Sequence, residues 1–267
     1  MSNAFREALS SGRTLLGTHV NLVDYRVCEI LGSIGFDYLW IDMEHISTDF
    51  HDMERHLIAA KAAGTPCMVR VIWNDIPSIK RVLEAGPDAI VVPMVNSVEE
   101  ARRAIDTCIY PPEGRRGFGP CRAIRYGIDS ALDYIRQGSK DLCRFVQVET
   151  RAAVECMEEV AQIPYLDGFV IGPMDLSGSV GELGQSPNAE ETNRLIEIAI
   201  AKAHACGKPI GLSTDADNAA ELTHWISKGV DFISASTDMW SIIKGAQTLL
   251  STMQNISEQY SHTGGIR

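Results

Sequence analysis

The stretch "WIDMEH", residues 40–45, places three ionisable side chains, Asp42, Glu44 and His45, directly after the apolar run Tyr38 to Ile41. Three further charged residues stand at the ends of similar runs. Arg70 follows "PCMV", Glu149 follows "RFVQV", and Asp175 lies in "GPMDLS", four residues beyond Ile171. Any one of these is ordinarily a solvated loop residue. Four run ends charged together point to a shared site. Two carboxylates at adjacent strand ends, Glu149 and Asp175, with room for water, make a hard oxygen site suited to Mg²⁺ or Mn²⁺. Asp42 and Glu44 would hold metal-bound waters or orient neighbours, and His45 would reach a substrate as acid or base. A lone histidine is more often a capping or structural residue, and it is the companions that raise His45 above that. His51 and His56 read as a solvated helix face, whereas His19 follows the first β-rich run and could face the same place.

The elements that must position these residues can be counted. Eight β-rich runs occur: Thr14 to Val20, Tyr38 to Asp42, Cys67 to Val71, Ala89 to Pro93, Arg144 to Val148, Gly168 to Ile171, Pro209 to Leu212 and Asp231 to Ser234. Between them lie helical patterns such as Asp49 to Ala63, Pro77 to Ala85, Val98 to Cys108, Ala152 to Ala161, Glu190 to Cys206 and Asp215 to Lys228. Strand then helix, eight times over, predicts an α/β fold of the TIM (β/α)8 barrel type, in which chemistry sits at the C-terminal ends of the strands. On this reading residues 1–260 form one barrel domain and residues 261–267, "HTGGIR" with the serine before it, a loose tail. The long interruption Ile109 to Leu142 is rich in Gly, Pro and Arg, and loops of that length are usually functional.

Composition narrows the function classes. The 267 residues are 45% hydrophobic and 22% charged, enough apolar material for a sizeable core. A formal net charge of -11 argues against nucleic acid as a partner. Seven cysteines, odd in number and without a CxxC pair, indicate neither a disulfide framework nor a zinc knuckle and suit a reducing cytoplasm. The beginning "MSNAFREALSSG" lacks signal-peptide features, and no apolar run approaches the roughly 18 residues of a membrane span.

The ordered set "FDYLWIDMEH", "VRVIWND", "VVPMV", "YPPEGRRGFGP", "VQVET" and "IGPMDLSGSVG", spread from about residue 15 to residue 240, resembles the 4-hydroxy-2-oxoheptanedioate aldolase family. These are metal-dependent class II pyruvate aldolases, which include 2-dehydro-3-deoxy-sugar-acid aldolases. The resemblance implies a homo-hexameric TIM barrel, a trimer of dimers, that exchanges its last helix between subunits. It implies a divalent metal ion (Mg²⁺, Mn²⁺ or Co²⁺) on Glu149 and Asp175, and Arg70 holding the enolate and carboxylate of pyruvate. It further implies His45 in acid/base work on the aldol hydroxyl, and a substrate site formed by Gln147, Gly172 and the backbone amides around Met174 and Asp175. Its substrates would be a keto acid and an aldehyde. The chain departs from the family pattern at "KRVLEAG", where Glu84 stands in place of the aspartate that pairs with the histidine matching His45.

Cleavage of an α-keto-γ-hydroxy acid leaves a pyruvate enolate, whose charge needs an electron sink. A Schiff-base lysine is one route, but all seven lysines (Lys61, Lys80, Lys140, Lys202, Lys208, Lys228, Lys244) fall in helical patterns or before strands, which places them at the wrong end of a barrel. A chelating metal with Arg70 as a planar, permanently charged partner is the other. Arg115, Arg116, Arg122 and Arg125 could add positive charge for the variable part of the substrate. Three other readings stay open: a citrate lyase beta-like enzyme acting on acyl-CoA thioesters, a phosphate-handling isomerase, and a non-catalytic keto-acid-binding barrel.

Overall fold

Eight parallel strands close into one barrel in chain order in the computed structural model, which describes residues 3–185 and 189–261. They are β1 (Leu15–Val20), β2 (Tyr38–Asp42), β3 (Cys67–Arg70), β4 (Ala89–Val92), β5 (Cys143–Val148), β6 (Gly168–Ile171), β7 (Ile210–Thr214) and β8 (Phe232–Thr237). The ring is sealed by pairing of β8 with β1, whose register shifts between Gly17 and His19. The eight expected runs are therefore the eight strands, and the TIM barrel expected from their count is the fold. The last two extend further than their apolar cores, because β7 ends in Ser213 and Thr214 and β8 in Ser236 and Thr237, polar residues that a hydrophobicity pattern does not include.

The intervening helices begin and end on local chemistry. In Ile76–Ala85 the Asp75 side chain accepts the Ser78 N–H, Pro77 fits the first turn, and Gly86 stops the helix at φ +73°. Asp49, Ser97, Thr150 and Asn218 cap the helices Phe50–Ala62, Val98–Cys108, Arg151–Val160 and Ala219–Ile226 in the same way.

Side-chain alternation divides the apolar residues into two cores. Leu39, Ile41, Val69, Ile90, Val92, Val146, Val148, Ile171 and Leu212 point outward and pack beneath the helices. Leu15, Tyr38, Trp40, Met68, Val91, Phe145, Val170 and Phe232, at the alternate positions, fill the barrel. Phe5, from the N-terminal helix Ala4–Leu9, enters this inner group from below, edge-on to Tyr38 at 5.1 Å between centroids and to Phe232 at 5.7 Å. The filling is close enough to dictate a glycine: a Cβ on Gly211 would lie 2.0 Å from the Phe232 ring. One step further toward the C-terminal ends, the same inward positions turn polar, with His19, Asp42, Arg70, Gln147 and Ser213 following Gly17, Trp40, Met68, Phe145 and Gly211.

Three expectations differ from the structure. His56 is fully buried, not solvated, because it follows Met53 on the inward face of its helix. Arg115, Arg116, Arg122 and Arg125, expected to add positive charge for the substrate, are engaged within this chain, Arg115 with Asp106 at 3.7 Å. Arg116 is buried between the Tyr110 and Tyr134 rings, Arg122 donates to the carbonyls of Leu57 and Ala85, and Arg125 pairs with Asp129. Lys244, finally, is not at the far end of the barrel. It belongs to the closing helix Asp238–Ser261, which leaves β8 at the mouth, and it pairs with Asp217. Among the described residues no helix is long and apolar enough to cross a membrane, and all seven cysteines are free. The tail expected at 261–267 lies, beyond position 261, outside the described residues.

Candidate active site

Asp42 and Arg70 are register partners as the last residues of neighbouring strands β2 and β3. The guanidinium meets the carboxylate side-on: Arg70 Nε donates to Asp42 Oδ1 at 2.9 Å and Nη2 to Oδ2 at 2.7 Å. The remaining nitrogen, Nη1, lies 3.0 Å from Glu44 Oε2 and 3.5 Å from Gln147 Oε1. The Trp40 ring lies beneath the guanidinium, 5.6 Å from centroid to Cζ. Both ends of the Asp42–Arg70 pair are buried, so its two parallel bonds are unscreened by water. Burial works against the Asp42 carboxylate, but the Arg70 bonds and charge outweigh it and hold Asp42 below its ordinary pKa.

Glu149 follows β5 and is buried at the base of the same mouth. Its Oε1 accepts the Met94 N–H, and its Oε2 accepts from Gln147 Nε2 at 2.5 Å. Gln147 thereby links Arg70 to Glu149. Burial pushes Glu149 up to about 7, with the Met94 N–H opposing the shift and the charges of Glu44 and Asp175 adding to it. Glu44 is likewise pushed up to about 7 by burial, against the pull of Arg70 and with the help of Asp42 and Asp175.

Gly172 caps the short helix Pro173–Ser179 that carries Met174 and Asp175, and no side chain caps its first turn. A Cβ at this position would stand 2.8 Å from Gln147 Nε2, so the glycine leaves the amide its place. A cavity of about 210 Å³ is bounded by Asp42, His45, Arg70, Gln147, Gly172, Met174 and Asp175 on one side and by His19, Asn21, Ser213, Thr214, Asp215 and Thr237 on the other. His45 stands at its rim, 59% exposed, with Nε2 3.6 Å from Glu44 Oε2.

The fold thus brings together Asp42, Glu44, His45, Arg70, Gln147, Glu149, Gly172, Met174 and Asp175, and it leaves out Glu84. That residue is in the last turn of its helix, next to Lys80 at 3.8 Å and beneath Gly119, where the chain has returned to the end of the barrel at which β4 begins. A His45–Glu84 pair cannot form within one chain. The reason was available in the sequence: Glu84 precedes a strand by a few residues, and such positions lie opposite the mouth. His19, expected as able to face the mouth, lines the cavity, and Ser213 is a further lining residue that charge at strand ends does not single out. Their signal is the period of two that carries Leu15, Gly17 and His19 inward.

As a place for a divalent cation, the mouth sets four carboxylates, Asp42, Glu44, Glu149 and Asp175, against the single guanidinium of Arg70. Their mutual repulsion and all-oxygen donor set are what a hard dication relieves. In a compact group elsewhere, Asp49 and His51 are exposed and Asp52 is half-buried, and Asp49 Oδ1 already accepts the backbone N–H groups of the other two as a helix cap.

Residues 15–244 match the HpcH/HpaI aldolase/citrate lyase family. The chain belongs to that family. A 4-hydroxy-2-oxo-heptane-1,7-dioate aldolase of Salmonella dublin is 34% identical over 249 residues, 93% of this chain and 94% of the relative. The protein of the same description from Klebsiella pneumoniae is 34% identical over 249 residues, with 93% of each chain covered. A crystal structure of an HpcH/HpaI aldolase/citrate lyase family protein from Burkholderia cenocepacia superposes with a TM-score of 0.86 at 27% identity, covering 95% of this chain and 100% of that one. For this member of the family, an enzyme of the lyase type, the matched span includes every residue of the mouth described above.

Proposed function

We propose that this family member reversibly cleaves a 4-hydroxy-2-oxo acid into pyruvate and an aldehyde through a pyruvate enolate. A divalent metal ion, Mg²⁺, Mn²⁺ or Co²⁺, would be held by Glu149 and Asp175. The observation that carries the reading is the buried Arg70, fixed by Asp42 and Glu44 beside a cluster of carboxylates at the strand ends. Such a metal, when bound, supplies Lewis-acid stabilisation of the enolate oxygen and chelates the keto acid.

The protein's own residues account for the other requirements. In the cleavage direction the C4 hydroxyl loses its proton, the C3–C4 electrons pass into the enolate, the aldehyde departs and C3 is then protonated to give pyruvate. Arg70 is planar and permanently charged, and the bonds from Asp42 fix its orientation, so its Nη1 edge is preorganised toward developing negative charge. Gln147, fixed between Arg70 and Glu149, orients the keto acid. The first-turn N–H groups of Met174 and Asp175, without a side-chain cap, receive its carboxylate. His45, at the rim, takes the hydroxyl proton. The exposed apolar residues of the closing helix, among them Ile243, Leu250 and Met253, support association in which that helix packs on another subunit, as in the homo-hexamer that the family resemblance implies.

Deuterium exchange into the methyl group of pyruvate, followed by NMR, tests the reading. Exchange should require added divalent metal and stop on chelation, and borohydride with pyruvate should leave no adduct on any lysine. A reduced lysine adduct, or a protein inert toward pyruvate with each of the three metals, would overturn it.

A further inference from the structure

The inward positions of β1 and β7 place a histidine and a serine against one another in the cavity. His19 Nδ1 lies 2.8 Å from the Ser236 carbonyl oxygen. A carbonyl can only accept, so Nδ1 carries a proton, and in the neutral ring that burial favours Nε2 has a lone pair. Nε2 is 2.9 Å from Ser213 Oγ, so the serine hydroxyl must donate to it. Ser236 holds its carbonyl in this position from a left-handed backbone conformation, φ +57°, that side-chain-bearing residues rarely adopt. The arrangement is therefore directional. With its proton committed to His19, Ser213 Oγ offers the cavity only acceptor lone pairs.

This wall faces the Arg70 and Glu149 end of the proposed pyruvate half, since in an eight-strand ring β7 and β1 stand opposite β3 and β5, while Met174 and Asp175, after β6, lie between the two. Whatever part of the substrate extends away from Arg70 meets His19, Ser213, Thr214, Asp215 and Thr237. Among the described residues the permanently charged cation lining the cavity is Arg70, which the proposed reaction commits to the pyruvate half. Burial lowers the His19 pKa, which keeps the ring neutral. An aldehyde ending in a carboxylate, as the relatives' substrate name implies for them, would here face Asp215 and a neutral imidazole.

Resting on the aldolase reading above, we infer that Ser213, oriented by His19, is a specificity-determining residue that accepts a hydrogen bond from a hydroxyl of the aldehyde half. The preferred aldehydes are neutral hydroxyaldehydes, ahead of alkyl aldehydes of the same shape and of carboxylate-ended semialdehydes. Because Ser213 and His19 satisfy one another before the substrate arrives, loss of the substrate hydroxyl strands no buried group, and discrimination is that of one net hydrogen bond, about tenfold.

The test measures kcat/KM for condensation of pyruvate with glycolaldehyde, with propanal, which replaces its hydroxyl by a methyl group, and with succinic semialdehyde. The glycolaldehyde-to-propanal ratio should fall about tenfold in Ser213→Ala and largely survive in Ser213→Thr, which keeps a hydroxyl. The wild-type enzyme should use succinic semialdehyde least well. A ratio unchanged in a folded Ser213→Ala protein overturns the inference, and so does a wild-type preference for succinic semialdehyde. Pyruvate methyl exchange by the wild-type enzyme separates the two levels. Exchange with an overturned aldehyde preference removes this inference alone, and absence of exchange removes the aldolase reading as well.

Discussion

Arg70 spends its three nitrogens on Asp42, Glu44 and Gln147. A lysine offers one nitrogen on a flexible stem and cannot span the Asp42 carboxylate side-on while also reaching Gln147. Arg70→Lys should therefore lower the rate of pyruvate methyl exchange by about 100-fold or more, the usual loss when a preorganised donor is removed from developing oxyanion charge. Retention of exchange within about threefold of wild type would show that charge alone suffices. The neighbouring glutamates set a pH dependence. Glu149 and Glu44 are raised to about 7 from an ordinary 4.5, so in the metal-free protein the stability that their neutral forms contribute is fully present below pH 4.5 and is lost as pH rises through 7. A dication requires the ionised forms, so binding should tighten over the range in which that stability is lost. The rise in Tm caused by saturating Mg²⁺ should accordingly be larger at pH 8 than at pH 6, as measured by differential scanning fluorimetry. A metal-induced rise that shrinks with pH would exclude Glu149 as a ligand of the metal.

At the scale of the elements, the N-terminal helix Ala4–Leu9 matters beyond its six residues, because Phe5 closes the inner core against Tyr38, Phe145 and Phe232. Phe5→Ala should cost about 3–5 kcal/mol, the range for a buried aromatic removed from a packed core, and lower the midpoint of urea unfolding accordingly. A loss below about 1 kcal/mol would mean that the helix is dispensable to the barrel. The strands were legible because buried parallel strands read as unbroken runs such as "AIVV" and "GFVI". Most of the mouth was legible for a related reason, since a charge directly after such a run has only the barrel end to occupy. What escaped was set by direction. Ser213 lies beyond the apolar part of its run and faces inward by alternation, Glu84 lies at a helix end that has travelled back down the barrel, and Lys244 rides a helix that sets out from the mouth. Neither polarity nor periodicity alone reveals which end of a barrel a helical residue has reached.

On the scale of the whole molecule, the closing helix Asp238–Ser261 starts from a firm anchor, with the buried Asp238 carboxylate accepting the N–H groups of Asn21 and Leu22. Along its length it exposes Trp240, Ile242, Ile243, Leu249, Leu250, Met253 and Ile256. An apolar series of that extent on an isolated chain marks an association surface. Sedimentation should give a mass several times the 29.3 kDa of one chain, and replacing Leu250 and Met253 together by glutamate should shift it toward smaller species. A wild-type protein that sediments as a single chain would refute assembly through this helix.

The aromatic plug around Phe5 also governs traffic. With the lower end of the barrel filled by Phe5, Tyr38, Phe145 and Phe232, every molecule that enters or leaves the cavity uses the upper opening. In the proposed arrangement pyruvate lies against Arg70 and Gln147 at the strand ends, and the aldehyde half, reaching from His45 at the rim to Ser213 across the cavity, is the part nearer the opening. Release is then a queue with one door, in which the aldehyde departs first and pyruvate only afterwards. Steady-state inhibition of cleavage should show that order: pyruvate, returning to the empty enzyme, should compete with the keto acid substrate, whereas the aldehyde, returning only to the pyruvate-loaded enzyme, should lower the apparent maximal rate as well. The opposite pair of patterns would place the aldehyde deeper than pyruvate and reverse the orientation of substrate across the barrel.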